Sequence, residues 1–283
     1  MMDDGFPIVV DIFLIMIDAL SFEDILRISA FTLIAVIMVL WELLFPRRGP
    51  SKKRVRWPGN LGIFLINTCM LALIPITAVG AAVFSIQNQF GLFYWVELEF
   101  WPKVILCILI LDLLIYWQHR IFHMIDPFWR IHRMHHTDTA FDFTTALRFH
   151  PIEIFISILV KAVVIILLGA PAFAVIAFEI ILNGSAMFNH GNIKIPKVVD
   201  RGLRWIIVTP DMHRIHHSVD PNEHNMNYGF FLSVWDRIFG SYLNQPRQPQ
   251  TTMPIGLEIF NQDSEARVDR LMTQPFRKNT IWQ

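Results

Sequence analysis

Charge, cysteine and linker-like composition are all scarce in this chain. Of its 283 residues, 17% are charged and 54% are hydrophobic, with Lys+Arg and Asp+Glu equal at 24 each. That is too apolar for an ordinary soluble domain. No basic face is available for a nucleic acid partner. The 2 cysteines, Cys69 and Cys107, lie inside apolar runs and read as packing residues rather than as a disulfide or a metal site. No segment rich in Pro, Gly or Ser divides the chain and no repeat is visible, so one membrane domain over 1–283 is expected. A secretory leader is not expected, because Asp3 and Asp4 stand where its basic start would be. Phe6 to Leu20 is apolar but interrupted by Asp11 and Asp18, and reads as a short interfacial helix.

The apolar residues come in long runs. Ile28 to Phe45, Leu61 to Phe84 and Trp101 to Trp117 are each long enough to cross a hydrocarbon core of about 30 Å at about 1.5 Å per residue. A fourth run, Ile154 to Leu182, is broken by Gly169-Ala170-Pro171 and reads either as a hairpin that dips in and returns or as one long kinked helix. The expected fold is an all-α integral membrane protein with about four transmembrane helices and a helical, histidine-rich cap. Residues 28–118 would hold the transmembrane helices. Residues 119–243 would form the catalytic region, with a membrane hairpin at 154–185, and 244–283 a polar tail that either caps the site or meets a redox partner. Arg47, Arg48, Lys52, Lys53, Arg54 and Arg56 make the loop between the first two runs strongly basic, which places it in the cytoplasm. His119 then emerges on that same side, and with a hairpin so do all later histidines.

Histidine is missing from the first 118 residues and from everything after His224, yet 11 lie between. The third run ends in H-R-I-F-H, with His119 and His123. H-R-M-H-H follows, with His132, His135 and His136, and much later H-R-I-H-H, with His213, His216 and His217. Residues three and four apart share a helix face, so each group can aim two or three imidazoles in one direction. Neutral imidazole ligates iron, zinc and copper. Eight imidazoles so grouped suffice for two metal ions; the bland alternative is a set of interfacial histidines reaching for water. Arg120, Arg133 and Arg214, inside the groups, should face water, lipid headgroups or acidic partners.

The remaining candidates are graded by position. His190, in F-N-H-G-N just past the fourth run, is expected as a ninth ligand. His150, in R-F-H-P, is either a ligand or a residue supporting one. His224, in a polar loop, fits a surface or supporting role better than a ligand. Asp112 lies four, seven and eleven residues before Tyr116, His119 and His123, on one helical stripe. It would accept a ring N–H from a ligating histidine or pair elsewhere in the bundle. Lys161, inside the fourth run, would snorkel or pair with Asp112 or Glu179.

The chemistry narrows by further absences. There is no H-E-x-x-H, so the glutamate base of a zinc peptidase is missing; Glu153 is near the site at the wrong spacing. The Glu-x-x-His groups of soluble di-iron bundles are missing too. A non-haem di-metal centre that activates dioxygen remains, most plausibly with iron and with zinc as a possible substitute. Its place at a bilayer edge suggests a membrane lipid substrate. A zinc-dependent membrane hydrolase using Glu153, or a histidine-rich metal carrier, are the rival readings. A carrier would want polar residues along several spans, where the first two runs offer little beyond Asn67 and Thr68.

H-R-I-F-H, H-R-M-H-H, R-F-H-P-I-E and H-R-I-H-H-S, ending in N-Y-G and W-D-R-I-F-G, resemble the fatty acid hydroxylase superfamily, also called the sterol desaturase family, from about Asp112 to Tyr242. The resemblance implies an integral membrane di-iron oxygenase that hydroxylates or desaturates a lipid with O2. It implies that the eight grouped histidines are ligands and that His190 matches a further one. Some members pair that further histidine, whereas here Ala186 stands four residues earlier and Asn189 is adjacent. A ligand is then missing, or His150 or His224 supplies it. No cytochrome-like domain is present, so electrons would come from a separate donor.

Overall fold

The computed structural model describes residues 21–49 and 52–278; the helix expected at Phe6 to Leu20 lies outside them. Among the described residues the chain is helical, with isolated β-bridges in place of any sheet. Five segments are long and apolar enough to cross a membrane. They are α1 (Phe22–Leu44), the broken segment of α2 (Lys53–Leu73) and α3 (Ala78–Asn88), α4 (Phe100–Met124), α6 (Pro151–Leu168) and α7 (Ala172–Asn189). Between α4 and α6 lies α5 (Asp126–His136), and after α7 come α8 (Lys197–Leu203) and α9 (Pro210–His216).

Local chemistry sets the ends. Ser21 and Asp24 form a reciprocal capping box that starts α1 upstream of its apolar run. The uncharged run at 61–84 is not one helix. Pro75 has no N–H and forces Ile74 into extended backbone, so α2 stops, and Thr77 caps a new helix by accepting the Gly80 N–H at 2.8 Å. The fourth run resolves as a hairpin. Gly169 ends α6 at φ +66°, where a side chain would meet Tyr94 and Phe90, and Pro171 precedes α7. Gly91 approaches Gly169 so closely that a Cβ on it would lie 2.2 Å from the Gly169 nitrogen. Glu153, in the first turn of α6, and His190, the C-cap of α7, both sit among the histidines, so the hairpin leaves and re-enters at one end.

Between helices in lipid, close packing does the work that the hydrophobic effect does in water. Ala78, Ala81 and Ala82 of α3 let it approach α6 at Ala162, and Val104, Cys107, Leu111 and Ile115 form the inner stripe of α4 against Val175 and Phe178 of α7. α1 is peripheral, burying only Met38 and Glu42. Yet Glu42 ties it to the cap, its Oε1 accepting the backbone N–H groups of Phe143 at 2.7 Å and Asn192 at 2.9 Å. The basic loop is partly consumed in the same way. Arg47 forks onto Asp211, Arg48 donates to the Met253 carbonyl, and Arg56 is buried between Asp138 and Asp142.

Candidate metal centre

Four elements deliver the histidines. α4 ends with His119 and His123, α5 carries His132, His135 and His136, α7 is capped by His190, and α9 carries His213 and His216 with His217 at its C-cap. Their ring nitrogens converge into two groups. One holds His119, His123, His132, His136 and His216; the other holds His135, His190, His213 and His217; within each, the nitrogens lie within 4.8 Å of one another. Each H-x-x-H-H motif is shared. His132 and His136, one turn apart, point into the first group while His135 points into the second, and His213 and His217 point into the second while His216 points into the first. Neighbouring helical residues diverge by about 100°, so one short helix serves two sites.

The outer ring nitrogens fix the inner ones. His119 Nδ1 donates to the Tyr228 carbonyl at 2.8 Å, His216 Nδ1 to that of Met226 at 2.8 Å, and His190 Nδ1 to that of Ala186 at 2.7 Å. His132 Nδ1 donates to Glu153 Oε1 at 2.8 Å. Each of these rings then presents the bare lone pair of Nε2 inward. His190 Nε2 faces Nε2 of His135 at 3.0 Å, of His213 at 3.1 Å and of His217 at 3.2 Å. His136 Nε2 faces Nε2 of His123 at 3.1 Å and of His132 at 3.2 Å. One lone pair cannot satisfy three neighbours by hydrogen bonding. His119 Nε2 and His216 Nε2 are buried with no hydrogen-bond partner among the described residues. This is the pattern of ligand shells, and it fits one metal ion per group.

The electrostatics agree with that donor set. Burial, followed by neighbouring imidazoles, pushes His135, His136, His213 and His217 well below the ordinary histidine range. Burial brings His190 down to about 4. Burial of these five rings thus favours the neutral imidazole, the form that binds metal. Phe149 stacks on His135 with centroids 4.3 Å apart, and Phe141 packs on His190 and His217, giving the second group an apolar wall.

The other candidates fall outside the two groups. His150 caps α6, accepting the Ile152 N–H, and its Nε2 lies 3.2 Å from the Met272 carbonyl. His224 stacks on Trp129 beside the first group. Asp112 takes no histidine N–H. It accepts the backbone N–H groups of Phe231 and Leu232 and the Trp235 indole, because the chain after the third motif folds back over α4. Of the arginines expected at water, lipid headgroups or acidic partners, Arg214 does meet an acidic partner, and half-buried Arg120 donates to the Tyr116 hydroxyl and the Phe239 carbonyl. Arg133 and Arg214 are buried, the first donating to the Gln274 and Arg277 carbonyls, the second to Asp211 and the Gly191 carbonyl. The tail thus packs against α5. Sequence reasoning had no signal for the orienting carbonyls of Ala186, Met226 and Tyr228, since every residue carries one; the stacking Phe149 and Phe141 were equally unmarked.

A cavity of about 300 Å³ opens from His119 and His132 into the helical bundle, past Phe64, Ile115, Phe149 and Leu182. Its size is that of a small-molecule pocket.

Residues 104–241, which contain all nine grouped histidines, match the family model for fatty acid hydroxylase. Among curated proteins, the chain is 31% identical over 164 residues to the ornithine lipid hydroxylase OlsE of Rhizobium tropici, covering 56% of this chain and 49% of that one. It is 32% identical over 155 residues to the alkylglycerol monooxygenase of Danio rerio, 53% of this chain and 33% of that one. It is 26% identical over 161 residues to human lathosterol oxidase, 56% of this chain and 51% of that one. The chain thus matches about half, or less, of the length of these relatives. No solved structure matches.

Proposed function

We propose, from the match of residues 104–241 to the fatty acid hydroxylase family model, that the chain is a membrane di-iron oxygenase. It hydroxylates or desaturates a C–H bond of a membrane lipid with O2 and electrons from a separate donor. The observation that carries this reading is the convergence of nine imidazoles, eight of them buried, into two groups of ring nitrogens. His119, His123, His132, His136 and His216 hold one iron; His135, His190, His213 and His217 hold the other. Bound iron supplies dioxygen activation and the oxidising power for C–H cleavage.

The chain's own residues do the rest. Glu153 and the carbonyls of Tyr228, Met226 and Ala186 keep protons on the outer ring nitrogens, so the inner ones stay free to ligate. Phe64, Ile115 and Leu182 line the path to His119 and His132, exclude water and align an apolar chain. That alignment selects between alcohol and alkene. The basic loop supports a cytoplasmic histidine end, where an electron donor would dock.

Metal analysis with respirometry tests the reading. Purified protein should hold close to two irons per chain and consume O2 only when lipid is supplied. Stoichiometric zinc, with no oxygen uptake after reconstitution with iron, would overturn it.

A further inference from the structure

Two cations and one carboxylate line the end of the cavity away from the histidines, Arg27 partly exposed and Lys161 and Glu179 nearly buried. Arg27 of α1 sits 3.1 Å from Glu179 of α7, and Lys161 of α6 sits 3.9 Å from the other oxygen of the same carboxylate. All three line the cavity. The Lys161 contact is too long for a hydrogen bond, and its side chain is 10% exposed. Among the described residues, one carboxylate therefore faces two cations at this end of the cavity. Ionisable groups within membrane-spanning helices are costly and mark a functional site. The other carboxylate on the cavity wall, Glu153, is engaged by His132 at the metal end. Ser157, one turn from Lys161, and Asn183, one turn from Glu179, line the same stretch of wall and add polar groups.

We infer that Arg27, Lys161, Ser157 and Asn183 form a subsite for the anionic head of an acidic amphiphile, a carboxylate or a phosphate, whose chain runs up the cavity to His119 and His132. Lys161, too far from Glu179 for a hydrogen bond, supplies donors to the cavity, and Glu179 holds both cations beside it. Eight residues of α6 separate Lys161 from Glu153, about 12 Å at 1.5 Å per residue. The subsite thus measures the substrate from its acid, and the carbon presented to the metal end lies well along the chain. Naming the occupant as a substrate rests on the oxygenase reading; the anion preference does not.

Equilibrium binding to the purified, iron-loaded protein in nanodiscs tests the subsite, with oleate, oleoyl phosphate, methyl oleate and oleyl alcohol as probes. One or both anions should bind about tenfold more tightly than the neutral probes, and which anion does so identifies the head. Lys161→Met should abolish that preference. Glu179→Gln should strengthen it, because it removes the competing carboxylate; a purely structural trio would give weaker binding in both variants. Neutral probes that bind as tightly as the anions, or an anion preference that survives Lys161→Met, would overturn the subsite. Oxygen uptake is recorded in parallel. If no probe or membrane lipid supports it while the Lys161-dependent preference holds, the subsite stands and the oxygenase reading fails.

Discussion

Glu153 Oε1 accepts the Nδ1 proton of His132 across 2.8 Å, joining the first turn of α6 to the middle of α5. A carboxylate behind a ligating imidazole fixes its tautomer and raises its basicity, and losing such a partner typically costs about 10–100-fold in metal affinity or activity. Glu153→Gln should therefore keep the fold and lower metal affinity by about that factor. Competition with a calibrated chelator reads this directly; unchanged affinity would remove Glu153 from the metal centre.

His135 and His216 belong to different nitrogen groups although their motifs look alike. His135→Ala should cost the four-histidine group its metal first, and His216→Ala the five-histidine group. Each variant should retain close to one metal per chain and lose turnover. Metal quantification against protein concentration decides; two metals bound in both variants, with full activity, would show that the grouping is wrong.

Arg56 is buried against Asp138 and Asp142, two to six residues beyond His136, so α2 is bolted to the segment that leaves the second motif. Removing one partner of a buried ion pair strands the other charge, at about 3–5 kcal/mol. Arg56→Gln should lower the unfolding midpoint sharply. Adding Asp138→Asn should recover part of the loss, since one stranded carboxylate disappears. A double variant as unstable as the sum of the single ones would show that the pair is not coupled.

Nine imidazoles, eight of them buried, converge in two groups, and a metal bound only by the folded state stabilises it by mass action. Chelation should lower the thermal midpoint in detergent, and adding iron(II) should restore it. A midpoint indifferent to chelation would contradict metal binding at these histidines.

The topology is open to labelling. Gln248 lies beyond the third motif on the histidine end, and Glu97 is exposed between α3 and α4 at the opposite end. In a Cys69→Ala background, a membrane-impermeant maleimide should reach Gln248→Cys only from the cytoplasmic side and Glu97→Cys only from the other. The reverse pattern would invert the orientation.

Much of this was determined by the sequence alone. Runs of apolar residues favour the helix in lipid, so the all-helical membrane fold was legible, with about four spans expected and the fourth left open between a hairpin and a kinked helix until the structure showed the hairpin. Histidines at three- and four-residue spacing can share a face, so the nine histidines that the fold brings together were legible as candidates. Other features depended on contacts between distant segments. Pro75 divided a run that hydropathy reads as continuous. Adjacent histidines separated into two groups because their side chains leave a helix about 100° apart. Asp112, on the stripe of His119, instead holds the returning backbone at Phe231 and Leu232. His150 and His224, open in the sequence, lie outside both nitrogen groups. Periodicity determines which residues share a face; only the packed chain decides what that face meets.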